Sequence, residues 1–281
     1  MQIERYDNPA RFYETVAPFL LEREAEYCLL LGIAANLMSQ PDLYTDPYLA
    51  AVTHEGRVIA VATLTPPFGM AISNVLDSAA LKVIAADLLQ TGRPLPNVLA
   101  PKEVVLAFAE HWRTLTGRSY RLDMSERVFC LQKVNPVGSV SGQLRPVTLS
   151  DRDLLVEWIH AFTIEALRED DRARAERSVD LSFQSNLRRT YLWEDGQPVS
   201  LVGCGGRTPN GIRIGPVYTP PQLRSRGYAS ACIAAVSQLL LDEGRKYCFL
   251  FTDLSNPTSN HIYQQIGYQP VADLDKYTFT P

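Results

Sequence analysis

Apolar and polar positions along this chain follow two rhythms, a period near two and a period near 3.6, and the two succeed one another in a definite order. In the second half, residues 143–147 read as a strand, and 151–187 as two helices joined near the charged stretch Arg168-Glu169-Asp170-Asp171-Arg172. That stretch reads as a solvated helix end. Residues 191–193 and 199–203 then form strands around a turn at 194–198, a hairpin. A strand over 213–219 follows, in which Pro216 cannot donate a ladder hydrogen bond and predicts a bulge. Ala229, Cys232, Ile233, Val236 and Leu240 fall on one helical face, and Gly244 ends that run. Residues 247–252 suit a buried strand. Asn256 is placed to cap a last helix with Pro257 at its first position, and Gly267 closes it before Tyr268 begins a final strand.

The first half repeats the plan. Helices are expected over 9–38, strands over 48–53 and 58–65 about Gly56, and a helix over 79–89. A helix over 101–115, then Gly117 and a strand over 127–134, parallels the end of the second half. Between the halves, Asn135-Pro136-Val137-Gly138-Ser139-Val140-Ser141-Gly142 interrupts the apolar pattern and reads as a short linker. The expected division is therefore a domain at 1–134, a linker at 135–142 and a second domain at 143–281. With 281 residues, two domains fit better than one, and 46% hydrophobic residues can fill two cores.

The formal charge of −4 supplies no broad basic field for nucleic acid, and no run of eighteen apolar residues predicts a membrane span. The N-terminal stretch lacks the pattern of a secretory signal. Cys28, Cys130, Cys204, Cys232 and Cys248 are odd in number, scattered and set in apolar surroundings, as reduced core residues are. A cytoplasmic compartment is the expectation. His54, His111, His160 and His261 make no close ligand motif, so no metal is expected.

Candidate chemistry concentrates in Arg224-Ser225-Arg226-Gly227-Tyr228-Ala229, between the strand over 213–219 and the helix that follows. The first N–H groups of a helix lack intrahelical partners and sit at the positive end of its dipole, so a pyrophosphate satisfies both. Gly227 admits the ligand to the backbone, Ala229 keeps the next turn small, and Arg224 and Arg226 add charged donors. Downstream, Asn260 and Tyr263 are three residues apart on one helical face.

In that order, R-x-x-G-x-A followed by N-x-x-x-N-x-x-Y-x-x-x-G-Y resembles the GNAT superfamily, the GCN5-related N-acetyltransferases. The resemblance covers the C-terminal half, with its specific motifs between Ile214 and Tyr268. It implies an α/β (α+β) fold of two GNAT-like domains, each a mixed, mostly antiparallel sheet flanked by helices, with a parallel pair near the cofactor. It also implies acetyl-CoA as cosubstrate and a small amine or amino-acid-like acceptor attacked directly. Backbone groups around Val217, Tyr218 and Thr219 would align pantetheine and thioester. Arg224, Ser225, Arg226, Gly227, Tyr228, Ala229 and Ser230 would hold the pyrophosphate. Asn256 and Asn260 would hydrogen-bond the cofactor or their own loop, and Tyr263 would protonate the departing thiolate. A phenol of ordinary pKa near 10 faces a thiolate near 8.5, a gap of about 2 kcal/mol.

Two departures from the pattern matter. Residues 214–218 contain no carboxylate where many relatives place a general base, and Glu165, Glu194 and Asp253 each have a surface or turn explanation, so the base stays unassigned. The first half is degenerate. Asn74-Val75-Leu76-Asp77-Ser78 offers no glycine cradle, and Arg113 stands before Gly117 where Tyr263 stands before Gly267. A domain of that kind can wall off the acceptor pocket or support a homodimer. A noncatalytic acyl-CoA sensor or interaction protein is the alternative from a different class. A peptide acceptor is less favoured, since no peptide-binding motif is present.

Overall fold

The computed structural model describes residues 1–280. The first half forms β1 (Gln2–Arg5), α1 (Pro9–Leu21), α2 (Cys28–Ser39), β2 (Tyr48–His54), β3 (Arg57–Leu64), β4 (Met70–Ile72), α3 (Ala79–Gln90), β5 (Asn97–Pro101), α4 (Lys102–Thr116) and β6 (Ser119–Leu131). The second half forms β7 (Gln143–Pro146), α5 (Arg152–Phe162), α6 (Arg172–Gln184), β8 (Arg188–Glu194), β9 (Pro198–Gly205), β10 (Gly211–Tyr218), α7 (Tyr228–Asp242), β11 (Tyr247–Asp253), α8 (Pro257–Ile266) and β12 (Gln269–Thr280). The two successions are the same, so the repeat expected from the periodicities is present in the backbone.

Contacts divide the chain into two compact units. One comprises Met1–Val128, Asp253–Ser255 and the chain from Val271 on; the other comprises Phe129–Thr252 and Asn256–Pro270. These units differ from contiguous stretches at 1–134 and 143–281, because the last strand of each plan is shared out. β12 pairs antiparallel with β5, from Leu274↔Pro101 to Thr278↔Asn97, while Phe129–Leu131 of β6 lie in the second unit. Hydrophobic pattern identifies a strand but not its neighbour. The linker residues 135–142 also lie in the second unit, where Asn135 N–H donates to Ile266 O at 2.7 Å.

In the first unit the order is β1-β2-β3-β4-β5-β12, antiparallel except for β4 beside β5. Tyr48, Ala50 and Val52 of β2 face the core under α3 and α4, whereas Leu49 and Ala51 face α1 and α2. A strand covered on both faces reads as one apolar run, which is why β2 and β3 were legible. Three short strands, β1, β4 and β5, have no such signal. β6 starts at Ser119, well before the expected 127, because Arg121 and Asp123 break the apolar pattern and the Asp123 carboxylate pairs with Lys276 at 2.9 Å.

The second unit carries β7-β8-β9-β10-β11, antiparallel except for β10 beside β11. On one face Cys232, Val236 and Leu240 of α7 and Ile266 of α8 pack on Val202, Cys204, Ile212 and Leu250. On the other, Leu155, Val156 and Trp158 of α5 pack on Leu192, Leu201 and Tyr218. The fold is thus mixed α/β, a mostly antiparallel sheet with helices on both faces.

Burial in this core gives a pH expectation. It pushes the Cys232 and Cys248 thiols up to about 12 from an ordinary value of 9.0. The neutral thiol is favoured in the folded chain, so this stabilisation is intact below pH 9 and lost as pH rises toward 12. The denaturant midpoint of the wild type should fall over that window. A Cys232→Ala/Cys248→Ala variant should show a shallower fall; an equal slope would overturn the assignment.

Candidate functional site

The site is built where β10 and β11 part. Their parallel register runs Gly211↔Tyr247, Ile212↔Cys248 and Arg213↔Phe249, then stops, although β10 continues to Tyr218 and β11 to Asp253. On its other edge β10 is bulged: Ile214 faces Cys204 and Val217 faces Val202, so one extra residue is accommodated around Pro216. Beyond the bulge, the Thr219 hydroxyl lies 2.9 Å from that of Ser200, which is fully buried, and this fixes the end of the strand.

Two left-handed residues then turn the chain into α7, Ser225 at φ 61° and Gly227 at φ 81°. The first intrahelical bond of α7 is Ala231 N–H to Gly227 O at 3.0 Å, and no side chain caps the helix. The N–H groups of Tyr228, Ala229 and Ser230 are therefore left to an outside acceptor. A Cβ built on Gly227 would stand 2.9 Å from Val140 Cγ2. The cradle fits an anionic pyrophosphate by its backbone donors, its dipole and the room a glycine leaves.

The side chains of this loop divide in role. The Arg224 guanidinium donates to Thr219 O at 2.8 Å, pairs with Glu165 at 2.6 Å and lies 5.9 Å from the Tyr218 ring centroid. Tyr218 in turn packs against Trp158 at 6.1 Å. Arg226 is exposed and makes one long bond, to Gln222 O at 3.3 Å. The Tyr228 hydroxyl donates to Asp195 at 2.7 Å, and the same carboxylate accepts from Ser141 at 2.7 Å. These two donors hold the Asp195 carboxyl below its ordinary value. Tyr228 thus pins the start of α7 to the β8–β9 turn and to the linker. Nothing in local sequence pattern joins Asp195 or Ser141 to Tyr228, or Glu165 to Arg224, since each pair is separated by tens of residues.

On α8, Asn256 caps the helix, accepting Ser259 N–H at 3.0 Å, and Asn260 donates to Asn256 O at 2.7 Å. Tyr263 is 8% exposed, packed edge-on against Tyr268 and tilted against Phe129. Its hydroxyl has no hydrogen-bond partner among the described residues. Burial alone pushes its phenol up to about 12. The Tyr268 hydroxyl, on the ring against which Tyr263 packs, is paired instead with Ser237 at 2.8 Å.

Among the three carboxylates put forward from sequence, Glu194 is paired with Arg145, and Asp253 accepts Ser255 N–H at 2.7 Å in the first unit. Glu165 alone is tied to the loop before α7, through Arg224. It lies in a π-helical turn, Thr163–Leu167, after α5. In the first unit the corresponding helix start, at α3, is occupied from within: Asp77 accepts Ala79 N–H at 2.9 Å, setting a negative charge where an anion would have to bind. Among the described residues no group of three or more His, Cys, Asp or Glu could hold a metal ion, and no helix is long and apolar enough to cross a membrane.

Residues 152–268 match the model of the acetyltransferase (GNAT) family. The whole chain is similar in structure to a Drosophila protein solved by a structural genomics consortium, with a TM-score of 0.70 at 12% identity over 99% of this chain and 98% of that one. It is also similar to a GCN5-related N-acetyltransferase from Sphaerobacter thermophilus, TM-score 0.61, 17% identity, covering 98% and 94% of the two chains. A tandem GNAT protein from the clavulanic acid biosynthesis pathway aligns with TM-score 0.57 and 12% identity over 99% and 98%. No curated protein matches the sequence. The stretch 152–268 thus matches the GNAT family, and the fold of the whole chain is like that of GNAT proteins, a tandem one among them. The family that 152–268 matches is one of acetyltransferases.

Proposed function

We propose that the unit carrying 152–268 transfers an acetyl group from acetyl-CoA to the amine of a small or amino-acid-like acceptor by direct attack. The observation that carries this reading is the uncapped start of α7 at Gly227 directly beyond the parting of β10 and β11. The N–H groups of Tyr228, Ala229 and Ser230 and the exposed Arg226 hold the pyrophosphate. Backbone groups of Val217, Tyr218 and Thr219 along the unpaired edge of β10 align the pantetheine arm and orient the thioester. Asn256 and Asn260 keep the start of α8 in place, so that Tyr263 is presented at a fixed depth.

Acetyl-CoA supplies the activated acyl group. An alkylammonium with pKa near 10.4 must shed a proton at pH 7, a cost of roughly 4.6 kcal/mol that desolvation or a water chain has to offset. Tyr263 holds the proton for the leaving sulfur. With its phenol near 12 and a free thiol near 8.5, full transfer in water terms costs about 5 kcal/mol. The apolar wall that raises the phenol also raises a thiol placed against it, so the gap narrows in the site.

The reading is tested by incubating the protein with acetyl-CoA and a panel of primary amines and amino acids, following CoA release and product mass. The expected result is CoA release with a product heavier by one acetyl group. Bound but intact acetyl-CoA across the panel would instead favour a noncatalytic acyl-CoA sensor. The first unit, with Asp77 at its helix start, is expected to leave the stoichiometry at one acetyl-CoA per chain by calorimetry; two would overturn its degenerate assignment.

A further inference from the structure

The R-x-x-G-x-A pattern treats its first arginine as a phosphate donor, yet Arg224, although 40% exposed, has its Nε and one Nη committed to partners within the second unit. Its Nε is on Thr219 O at 2.8 Å, its Nη2 on Glu165 Oε2 at 2.6 Å, and its plane lies over Tyr218, which rests on Trp158. Swinging it to a pyrophosphate would break a charged pair and a hydrogen bond to the strand end at once. Arg226, two residues on, is exposed and nearly unengaged. What Arg224 does hold is the π-helical turn Thr163–Leu167, through Glu165, against the last residues of β10.

We infer that Arg224 is a positioning residue and Glu165 an acceptor-binding residue: the guanidinium fixes the Glu165 carboxylate beside the end of β10, where its second oxygen receives the ammonium of a cationic amine substrate. The inference rests on the acetyl-transfer reading above and names the residue that reads the acceptor. A carboxylate oxygen accepts only, so an ammonium with three donors matches it, while a neutral hydroxyl acceptor offers one. The Glu165 side chain is 54% exposed, which leaves that oxygen within reach of an incoming ligand while the other stays on Arg224. Glu194 and Asp253 cannot substitute, being committed to Arg145 and to the turn at Ser255.

The test uses the full chain, acetyl-CoA, and the best-used primary amine of the panel. Calorimetric acetyl-CoA affinity and steady-state constants are compared for wild type, Glu165→Gln, Arg224→Gln, Arg224→Lys and Arg226→Gln, with thermal melts to confirm folding. Expected are an amine KM raised tenfold or more in Glu165→Gln and Arg224→Gln, with acetyl-CoA Kd within threefold of wild type. Arg224→Lys should recover part of the amine KM by keeping a cation beside Glu165. Arg226→Gln should do the reverse, weakening acetyl-CoA and sparing the amine. A tenfold weaker acetyl-CoA Kd in Arg224→Gln with the amine KM unmoved would make Arg224 a phosphate ligand and overturn the inference, as would an unchanged amine KM in Glu165→Gln. A panel without any amine turned over, despite bound acetyl-CoA, defeats the acetyl-transfer reading and this inference with it. Wild-type protein that fails to bind acetyl-CoA would defeat the acetyl-transfer reading itself.

Discussion

Gly227→Val should abolish measurable acetyl-CoA binding, raising Kd at least a hundredfold, and should lower the melting temperature by several degrees. Three effects add. At φ 81° an L-residue costs about 1–2 kcal/mol, more when β-branched. The new Cβ meets Val140 Cγ2 at 2.9 Å, and the two further methyls of valine add to that contact, so the Val140 side chain or the turn must shift. The strained turn re-aims the N–H groups of Tyr228, Ala229 and Ser230, on which anion binding depends. A hundredfold loss corresponds to about 2.8 kcal/mol, within reach of a displaced helix start alone. Gly138→Ala is the control, since a Cβ there meets nothing within 4 Å, and both affinity and melting should match wild type. Calorimetry and a thermal melt decide the matter; wild-type affinity in Gly227→Val would show that the cradle is not the binding site.

The same residue illustrates what a sequence discloses. Gly227, Asn256, Pro257 and Gly267 act through the backbone within one or two turns of themselves, and their consequences follow from local rules: Asn256 does cap α8, and Gly267 does close it in a left-handed conformation. The Pro216 bulge was legible for the same reason. The repeat of the two halves was legible because strands buried on both faces stand out as apolar runs. What pattern could not show is how distant segments meet. β12 completes the first unit although it follows the second, since neither Leu274 nor Lys276 carries any mark of Pro101 or Leu99 as its partner. The commitment of Arg224 to Glu165, and of Tyr228 to Asp195 and Ser141, is likewise a tertiary fact. A motif states which residues stand in line; their side chains then answer to whatever the fold places opposite them.

Tyr263→Phe should lower kcat by about ten- to a hundredfold, the scale of a lost general acid, while acetyl-CoA Kd stays within twofold. It should also leave the melting temperature unchanged or slightly higher. That combination separates function from packing. The Tyr263 hydroxyl has no partner among the described residues, so deleting it orphans nothing and removes a buried polar group. Tyr268→Phe is the contrast: its hydroxyl pairs with buried Ser237, so its loss should cost about 1–3 kcal/mol of stability and leave kcat near wild type. The pH profile adds a sign. A phenol near 12 keeps its proton across the working range, so Tyr263 contributes no alkaline fall in kcat below about pH 11, whereas one at its ordinary value of 10.0 would begin to fail about two units lower. A pre-steady-state experiment that isolates acyl transfer makes the comparison clean. If the isolated step runs equally fast in Tyr263→Phe, the proton reaches sulfur by another route, and this tyrosine is only part of the wall with Phe129 and Tyr268.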